Sequence, residues 1–316
     1  MSQSAQEITE PQRVPDLWFD DADVVFQAGQ KLFRVHRGIL CARSPIFRDM
    51  FSIPPPDQEA MGAGSTIDGC CLINLPDAQQ DVYCFFLAIF DASFFEPPPS
   101  VHSISILASI LRMSHKYDVG FLRYRAISHL NRLFPPHMVP SFIKSNNVSN
   151  LRTTVLEIIE PAYTANVRWI IPTVFLSTVQ IKLEEIFESQ HWNVLPTAIQ
   201  QAYLRFREIY LLDRERMPRW IVFLPSKQCA YPAQCQMAAR SYMVGYRQLI
   251  EKSEKKMLTR RELEVRSCPH CASYILAQAT VELKERWNGF PINLGLPNWQ
   301  TLRKEKSDLG KPTIPT

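Results

Sequence analysis

The sequence predicts an α+β fold in its first half, a small mixed sheet with surrounding helices, and a mainly α-helical second half. Three observations lead to this. Residues 23–27 form a short run typical of a strand, and after a turn at Gly29 residues 31–36 alternate polar and apolar side chains, which is the period of a half-buried strand. Later segments of the first half repeat apolar residues at the three-to-four spacing of amphipathic helices. The second half continues that helical spacing and lacks strong strand signals.

The elements of the first half follow one another in a clear order. Residues 23–27 and 31–36 predict a hairpin, and Ser44-Pro45 indicates the start of a helix directly after a shorter one. Residues 53–69 contain three consecutive prolines and three glycines, which predicts a loop. The remaining predicted elements are a third strand at 71–76 and helices at 83–90, 103–115 and 120–134.

Composition excludes several classes of protein. Among 316 residues, 46% are hydrophobic and 21% charged, which is typical of a globular chain. No apolar stretch approaches the roughly 20 residues that span a bilayer, and the polar first fifteen residues do not resemble a secretory signal. No glycine-rich phosphate loop occurs, and a basic run at 252–266 is interleaved with glutamates, so neither nucleotide nor nucleic-acid binding is expected. We expect a cytoplasmic or nuclear protein.

One series of motifs in the first half resembles the BTB/POZ family. The segments that carry the resemblance, in family order, are Asp23-Val24-Val25-Phe26, residues 33–40, residues 43–51, Ile73-Asn74-Leu75-Pro76-Asp77 and residues 108–119. The pattern to which they belong, residues 16–134, covers about two fifths of the chain. With its helix-rich second half, the chain is similar to BTB proteins of mushroom-forming (basidiomycete) fungi.

The resemblance gives the expected domain organisation. It comprises a disordered segment at 1–15, a BTB/POZ domain at 16–136, a helical domain at 137–299 and a flexible tail at 300–316.

The resemblance implies a protein–protein interaction module and no enzymatic activity. BTB/POZ domains usually form homodimers, and members serve as adaptors or scaffolds in ubiquitin-ligase recruitment or transcriptional regulation. Family dimers often place an acidic and a basic residue in a shared pocket, and the matching positions are Asp23 and Arg43. The alternative is that Asp23 only begins a strand and Arg43 lies solvated at a helix end.

A cullin partner has little support in the sequence. In the family it depends on a hydrophobic-x-acidic element in the loop after the second helix. Here that loop, residues 53–59, is rich in proline and has no apolar residue two places before either acid. The sequence therefore argues against a cullin partner, and the identity of any other partner stays open.

The second half contains four cysteines in two pairs: Cys229 and Cys235, and Cys268 and Cys271. One interpretation is a structural Zn²⁺ site, because four thiolates close a tetrahedral site and a C-x-x-C pair at a helix start supplies two of them. A second is thiol–disulfide exchange by Cys268-Pro269-His270-Cys271, where a helix start lowers the pKa of the first thiol. The third is a set of reduced cysteines that pack as small hydrophobic residues.

Overall fold

The computed structural model describes residues 10–53, 66–138, 152–215, 225–251 and 266–309. The chain divides into two compact units. The first consists of Met1–Phe134, Glu157–Val167 and Lys306–Thr316, and the second of Pro135–Leu156 and Arg168–Glu305.

The first unit contains a five-stranded mixed sheet in the order β1-β3-β2-β5-β4. Strands β2 and β3 form the predicted antiparallel hairpin, and β5 runs parallel to β2. Strand β1 is parallel to β3, and the two-residue β4 is antiparallel to β5. The strands are β1 (Gln12–Trp18), β2 (Val24–Ala28), β3 (Lys31–Val35), β4 (Thr66–Ile67) and β5 (Cys70–Asn74).

Strand β1 corrects the prediction that the chain is disordered up to residue 15, because it already begins at Gln12. Only Val14 and Leu17 of this strand are buried, so its apolar signal is weak. Pro15 lies inside the strand, where an edge position tolerates the missing N–H. Residues 1–9 lie outside the described part of the chain.

Helices cover the sheet of the first unit, and the predicted α+β architecture is confirmed. Ser44 separates the first two helices, and its hydroxyl accepts a hydrogen bond from the Phe47 N–H at 3.1 Å. This is the N-cap that the Ser-Pro step predicts. The helices are α1 (Arg37–Arg43), α2 (Pro45–Ser52), α3 (Gln79–Phe90), α4 (Ile104–Lys116), α5 (Gly120–Leu133) and, after a 3₁₀ turn at Arg152–Ile158, α6 (Ile159–Thr164).

The core of this unit is built largely from aromatic rings. Phe26 and Phe33 of the hairpin both contact Phe86 of α3, with ring centroids 5.3 and 5.6 Å apart. Phe47 of α2 stacks on Tyr117 at 4.6 Å. All five rings are almost completely buried, so the helices are held to the sheet by apolar packing.

A charged network attaches α6 to the rest of the first unit. Arg112 of α4 donates hydrogen bonds to Asp81 of α3 at 2.6 Å and to Glu160 of α6 at 3.1 Å. Ser109 donates to the other Asp81 oxygen at 2.6 Å. Burial alone lowers the pKa of Arg112, but the two carboxylates outweigh it and the pKa is raised. The guanidinium is therefore held charged between two partners.

The side chains of two histidines of the first unit contact the same backbone carbonyl. His129 of α5 lies 2.9 Å and His102 3.2 Å from the Glu96 carbonyl oxygen through their Nε2 atoms, and the two rings are 4.9 Å apart. Burial lowers the pKa of His129, the Glu96 carbonyl opposes this, and the cationic forms of His102 and Arg132 lower it further. His129 is therefore neutral in the native unit at neutral pH.

Acidification should destabilise the first unit through His129. Its pKa is lower in the folded state than in the unfolded chain, so the unfolded chain binds the proton first as the pH falls below about 6.5. Stability is fully present above that pH and is lost as the pH falls toward the lowered pKa. The His129→Gln variant keeps an N–H donor and does not titrate. We expect its urea midpoint to fall less than that of the parent between pH 7.5 and 5.5, and an equal fall in both proteins would contradict this.

The described residues of the second unit are mainly helical, as predicted, and contain no strand. None of the described helices of the chain is long and apolar enough to cross a membrane. The helices are α7 (Ile171–Thr178), α8 (Leu183–Phe187), α9 (Gln190–Asn193), α10 (Thr197–Glu215), α11 (Pro232–Glu251), α12 (Pro269–Asn293) and α13 (Trp299–Leu309), of which the residues up to Glu305 belong to this unit.

Helix α13 corrects the prediction of a flexible tail from residue 300. Leu302 is fully buried, and Trp299 stacks on Trp287 of α12 with ring centroids 4.8 Å apart. The Trp299 indole N–H also donates to the Trp287 carbonyl at 2.6 Å. Most residues of α13 are charged or polar, so the sequence does not indicate that Trp299 and Leu302 hold this helix in place. Residues 310–316 lie outside the described part of the chain.

Candidate functional site

The four cysteines of the second half lie together and form what we call the cysteine cluster. Cys229 precedes α11 and Cys235 lies in its first turn, while Cys268 is the N-cap of α12 and Cys271 lies in the first turn of that helix. All four sulfur atoms are within 4.8 Å of one another. The sulfur atoms of Cys229 and Cys268, which are 39 positions apart in the chain, lie 3.8 Å from each other.

Two sulfurs of the cluster accept a hydrogen bond from a backbone N–H. The Ser226 N–H points at the Cys271 sulfur at 3.4 Å, and the Cys268 N–H points at the Cys235 sulfur at 3.3 Å. The backbone N–H groups of Cys271 and Ala230 lower the pKa of Cys268, and that of Tyr231 acts in the same direction on Cys229. Such donors stabilise thiolates and orient them, as outer-shell groups do around bound metals.

The surroundings of the cluster shift the pKa values of its thiols in different directions. Burial raises the pKa of Cys235 and raises that of Cys229 to about 12. Burial acts in the same direction on Cys268, but the N–H groups and neighbouring thiols outweigh it, and its pKa is lowered to about 6. The protein alone therefore favours one thiolate in the cluster. A bound cation would stabilise all four thiolates by displacing their protons.

The cluster is continuous with a small apolar core between the starts of α11 and α12. Its buried residues besides the cysteines are three alanines and one isoleucine, Ala238, Ala239, Ala272 and Ile275. Small side chains let the two helix starts approach closely. No strand pairing holds these described segments, so the four sulfurs and this core supply the local contacts.

The other four cysteines lie in the first unit, where Cys41 is half-buried, Cys70 and Cys84 are buried and Cys71 is exposed. Among the described residues, they belong to no group of three or more potential metal ligands.

Asp23 and Arg43 have different partners in the chain. Asp23 accepts a hydrogen bond from the Arg37 N–H at 2.8 Å, and its second oxygen is 3.5 Å from the Arg37 Nε. Arg37 is the first residue of α1, whose N-cap residue His36 supplies no capping side chain. Asp23, the residue directly before β2, therefore caps this helix. Sequence reasoning missed Arg37, because nothing local relates residues 14 positions apart.

Arg43 lies on an exposed face with aromatic and apolar neighbours. Its guanidinium carbon is 5.4 Å from the centre of the Phe121 ring, and the guanidinium of Arg125 is 5.5 Å from the same ring. Ile39 and Ile46 are 41% and 42% exposed. Whether Asp23 and Arg43 share a pocket in a dimer stays a prediction, since it concerns a second copy of the chain.

Comparison with protein families identifies the first part of the chain. The family model described as the BTB/POZ domain matches residues 18–130. Residues 18–130 form a BTB/POZ domain. Domains of this family are interaction modules, so the match supports a general role in protein–protein interaction. No curated protein matches the chain, and the expected similarity to proteins of mushroom-forming fungi has no support.

The loop on which the expectation about cullin rests lies almost entirely outside the described part of the chain. Of residues 53–59, only Ile53 lies within the described part of the chain. Ile53 directly follows α2 and is 70% exposed. The argument against a cullin partner therefore continues to rest on the amino-acid sequence.

Proposed function

We propose that the protein is a non-enzymatic adaptor, in which the BTB/POZ domain forms a homodimer and a zinc-stabilised helical region offers a surface to a second protein. The BTB/POZ match over residues 18–130 carries the proposal of an interaction role. The geometry of the cysteine cluster carries the proposal of zinc.

The cluster fits one zinc ion. With Zn–S bonds of about 2.3 Å, the sulfurs of a tetrahedral site lie about 3.8 Å apart. Cys229 and Cys268 have that separation, and no pair in the cluster exceeds 4.8 Å. A cage of this size suits a single ion, since an iron–sulfur cluster needs room for inorganic sulfide between its thiolates. Cys229, Cys235, Cys268 and Cys271 would hold the ion, which would supply structural stability.

The alternative of a thiol–disulfide oxidoreductase has no support from the comparisons. The first thiol of such an enzyme must reach the disulfide of another molecule. Cys268 is only 5% exposed and Cys271 is completely buried. Their side chains also contact two further cysteines rather than standing alone as a reactive pair.

Removing the charge of Arg43 should weaken self-association of the full chain. Arg43 is exposed and forms no ion pair among the described residues, so it is free to meet an acidic group of a second copy. We expect Arg43→Ala to raise the dimer dissociation constant by about tenfold, the size of a 1.4 kcal/mol loss. Sedimentation velocity over a concentration series measures this.

Asp23 needs a variant that preserves its capping role. Asp23→Asn keeps an oxygen for the Arg37 N–H and removes the charge, so weaker association would report on the pocket rather than on α1. The exposed Arg303 of the second unit provides the control, and Arg303→Ala should leave the dimer unchanged. A monomeric parent, or dimers of parental strength in both Arg43→Ala and Asp23→Asn, would refute the shared pocket.

A further inference from the structure

The four cysteines of the cluster differ in their access to solvent. Cys235 and Cys271 are completely buried and Cys268 is 5% exposed. Cys229 is only partly buried and lies at the edge of the apolar core. It also precedes α11, whereas the other three belong to the starts of the two helices. A small reagent in solution therefore meets the sulfur of Cys229 first.

We propose that Cys229 is an oxidation site, through which a hydroperoxide opens the metal centre and releases its ion. The inference rests on the zinc site proposed above. It assigns the reactive position to Cys229, whereas the sequence motif directs attention to Cys268 and Cys271.

The reaction has two balanced steps. The Cys229 thiolate attacks the terminal OH oxygen of the peroxide, an S–O bond forms and the O–O bond breaks, so that sulfur loses two electrons and the peroxide gains them. The leaving group is hydroxide from hydrogen peroxide or an alkoxide from an organic hydroperoxide. The Cys268 thiolate then attacks the Cys229 sulfur, an S–S bond forms, the S–O bond breaks and hydroxide leaves. Two protons from solvent neutralise the two leaving groups. In total, two thiolates, one hydroperoxide and two protons give a disulfide, water and the corresponding alcohol, or a second water from hydrogen peroxide.

Cys268 is placed for the second step. Its sulfur lies 3.8 Å from that of Cys229, and rotation of the two side chains can bring them to the bond length of about 2.04 Å. Only Cys235 and Cys271 then remain as thiolates, and two ligands do not close a tetrahedral zinc site. The ion passes to solvent, and the disulfide joins the turn before α11 to the start of α12. Reduction by a thiol would restore the ligands.

The experiment uses the full-length, zinc-containing protein and hydrogen peroxide. Zinc is first measured by elemental analysis. Peroxide is then added, zinc release is followed with a colorimetric chelator, and non-reducing peptide mass spectrometry locates the disulfides. We expect release of the ion together with a Cys229–Cys268 link. With peroxide below one equivalent, the sulfenic-acid label dimedone should mark Cys229. The control Cys71→Ser removes an exposed cysteine outside the cluster and should behave like the parent.

A matched variant tests the role of Cys229 itself. Cys229→His retains a zinc ligand but lacks the accessible thiol, so peroxide should release its zinc about tenfold more slowly than in the parent. If this variant does not bind zinc, the dimedone label on the parent decides the question alone. Retention of zinc under peroxide, or first labelling at Cys235, Cys268 or Cys271, overturns the proposal while leaving the zinc site intact. Absence of zinc from the untreated protein overturns both.

Discussion

We expect Cys271→Ser to abolish the zinc binding proposed above and to loosen the starts of α11 and α12. Cys271 is completely buried and supplies one of the four sulfurs, and a serine hydroxyl is a poor zinc ligand at neutral pH. Structural zinc contributes on the order of 10 kcal/mol in small sites. We therefore expect near-complete loss of zinc by elemental analysis, and faster hydrogen exchange of the backbone amides of residues 226–239 and 268–275.

The control for this prediction lies outside the cluster. Cys71 is an exposed residue of β5, and Cys71→Ser should keep the parental zinc content and exchange pattern. Chelation of zinc from the parent should reproduce the exchange pattern of Cys271→Ser. Parental zinc content in Cys271→Ser would show that the cluster does not hold the ion.

Replacing Arg112 with methionine lowers the stability of the first unit by about 3 kcal/mol. The variant keeps an apolar side chain of similar length but leaves Asp81, which is 8% exposed, without its cationic partner. Breaking a buried ion pair from one side costs about 3–5 kcal/mol, and the 31% exposure of the Arg112 side chain places the expectation at the lower end. Equilibrium urea unfolding, monitored by circular dichroism, measures the change.

A surface ion pair of the same unit provides the comparison. Arg13 and Asp68 also form an ion pair at 3.1 Å, but their side chains are 55% and 38% exposed. Arg13→Met should therefore change stability by no more than about 1 kcal/mol. Equal effects of Arg112→Met and Arg13→Met would mean that the Arg112 network does not stabilise the unit.

The sequence predicts those features that local spacing determines. The hairpin, the Ser44-Pro45 helix start and the amphipathic helices all follow from residues a few positions apart, and the structure confirms them. The C-x-x-C pair at the start of α12 is also a local pattern. One of the three interpretations of the sequence grouped Cys229 and Cys235 with this pair, and the structure brings the four sulfurs together.

Features that depend on residues far apart in the chain could not be predicted from the sequence. The pairing of β1 with β3 rests on a weakly apolar edge strand, and the cap on α1 comes from Asp23 across 14 positions. The contact of Glu160 with Arg112 joins residues 48 positions apart. Such pairings depend on the folded path of the chain, so neither periodicity nor composition reveals them.

The first unit is assembled from three separate stretches of the chain: Met1–Phe134, Glu157–Val167 and Lys306–Thr316. A fragment that stops at residue 136 therefore lacks the Glu160 carboxylate that Arg112 binds and the Ala165 carbonyl that accepts from Arg123 at 2.9 Å. No single junction can separate the two units, so neither can be exchanged between proteins as one continuous cassette. Gene fusions and truncations should therefore keep all three stretches of the first unit.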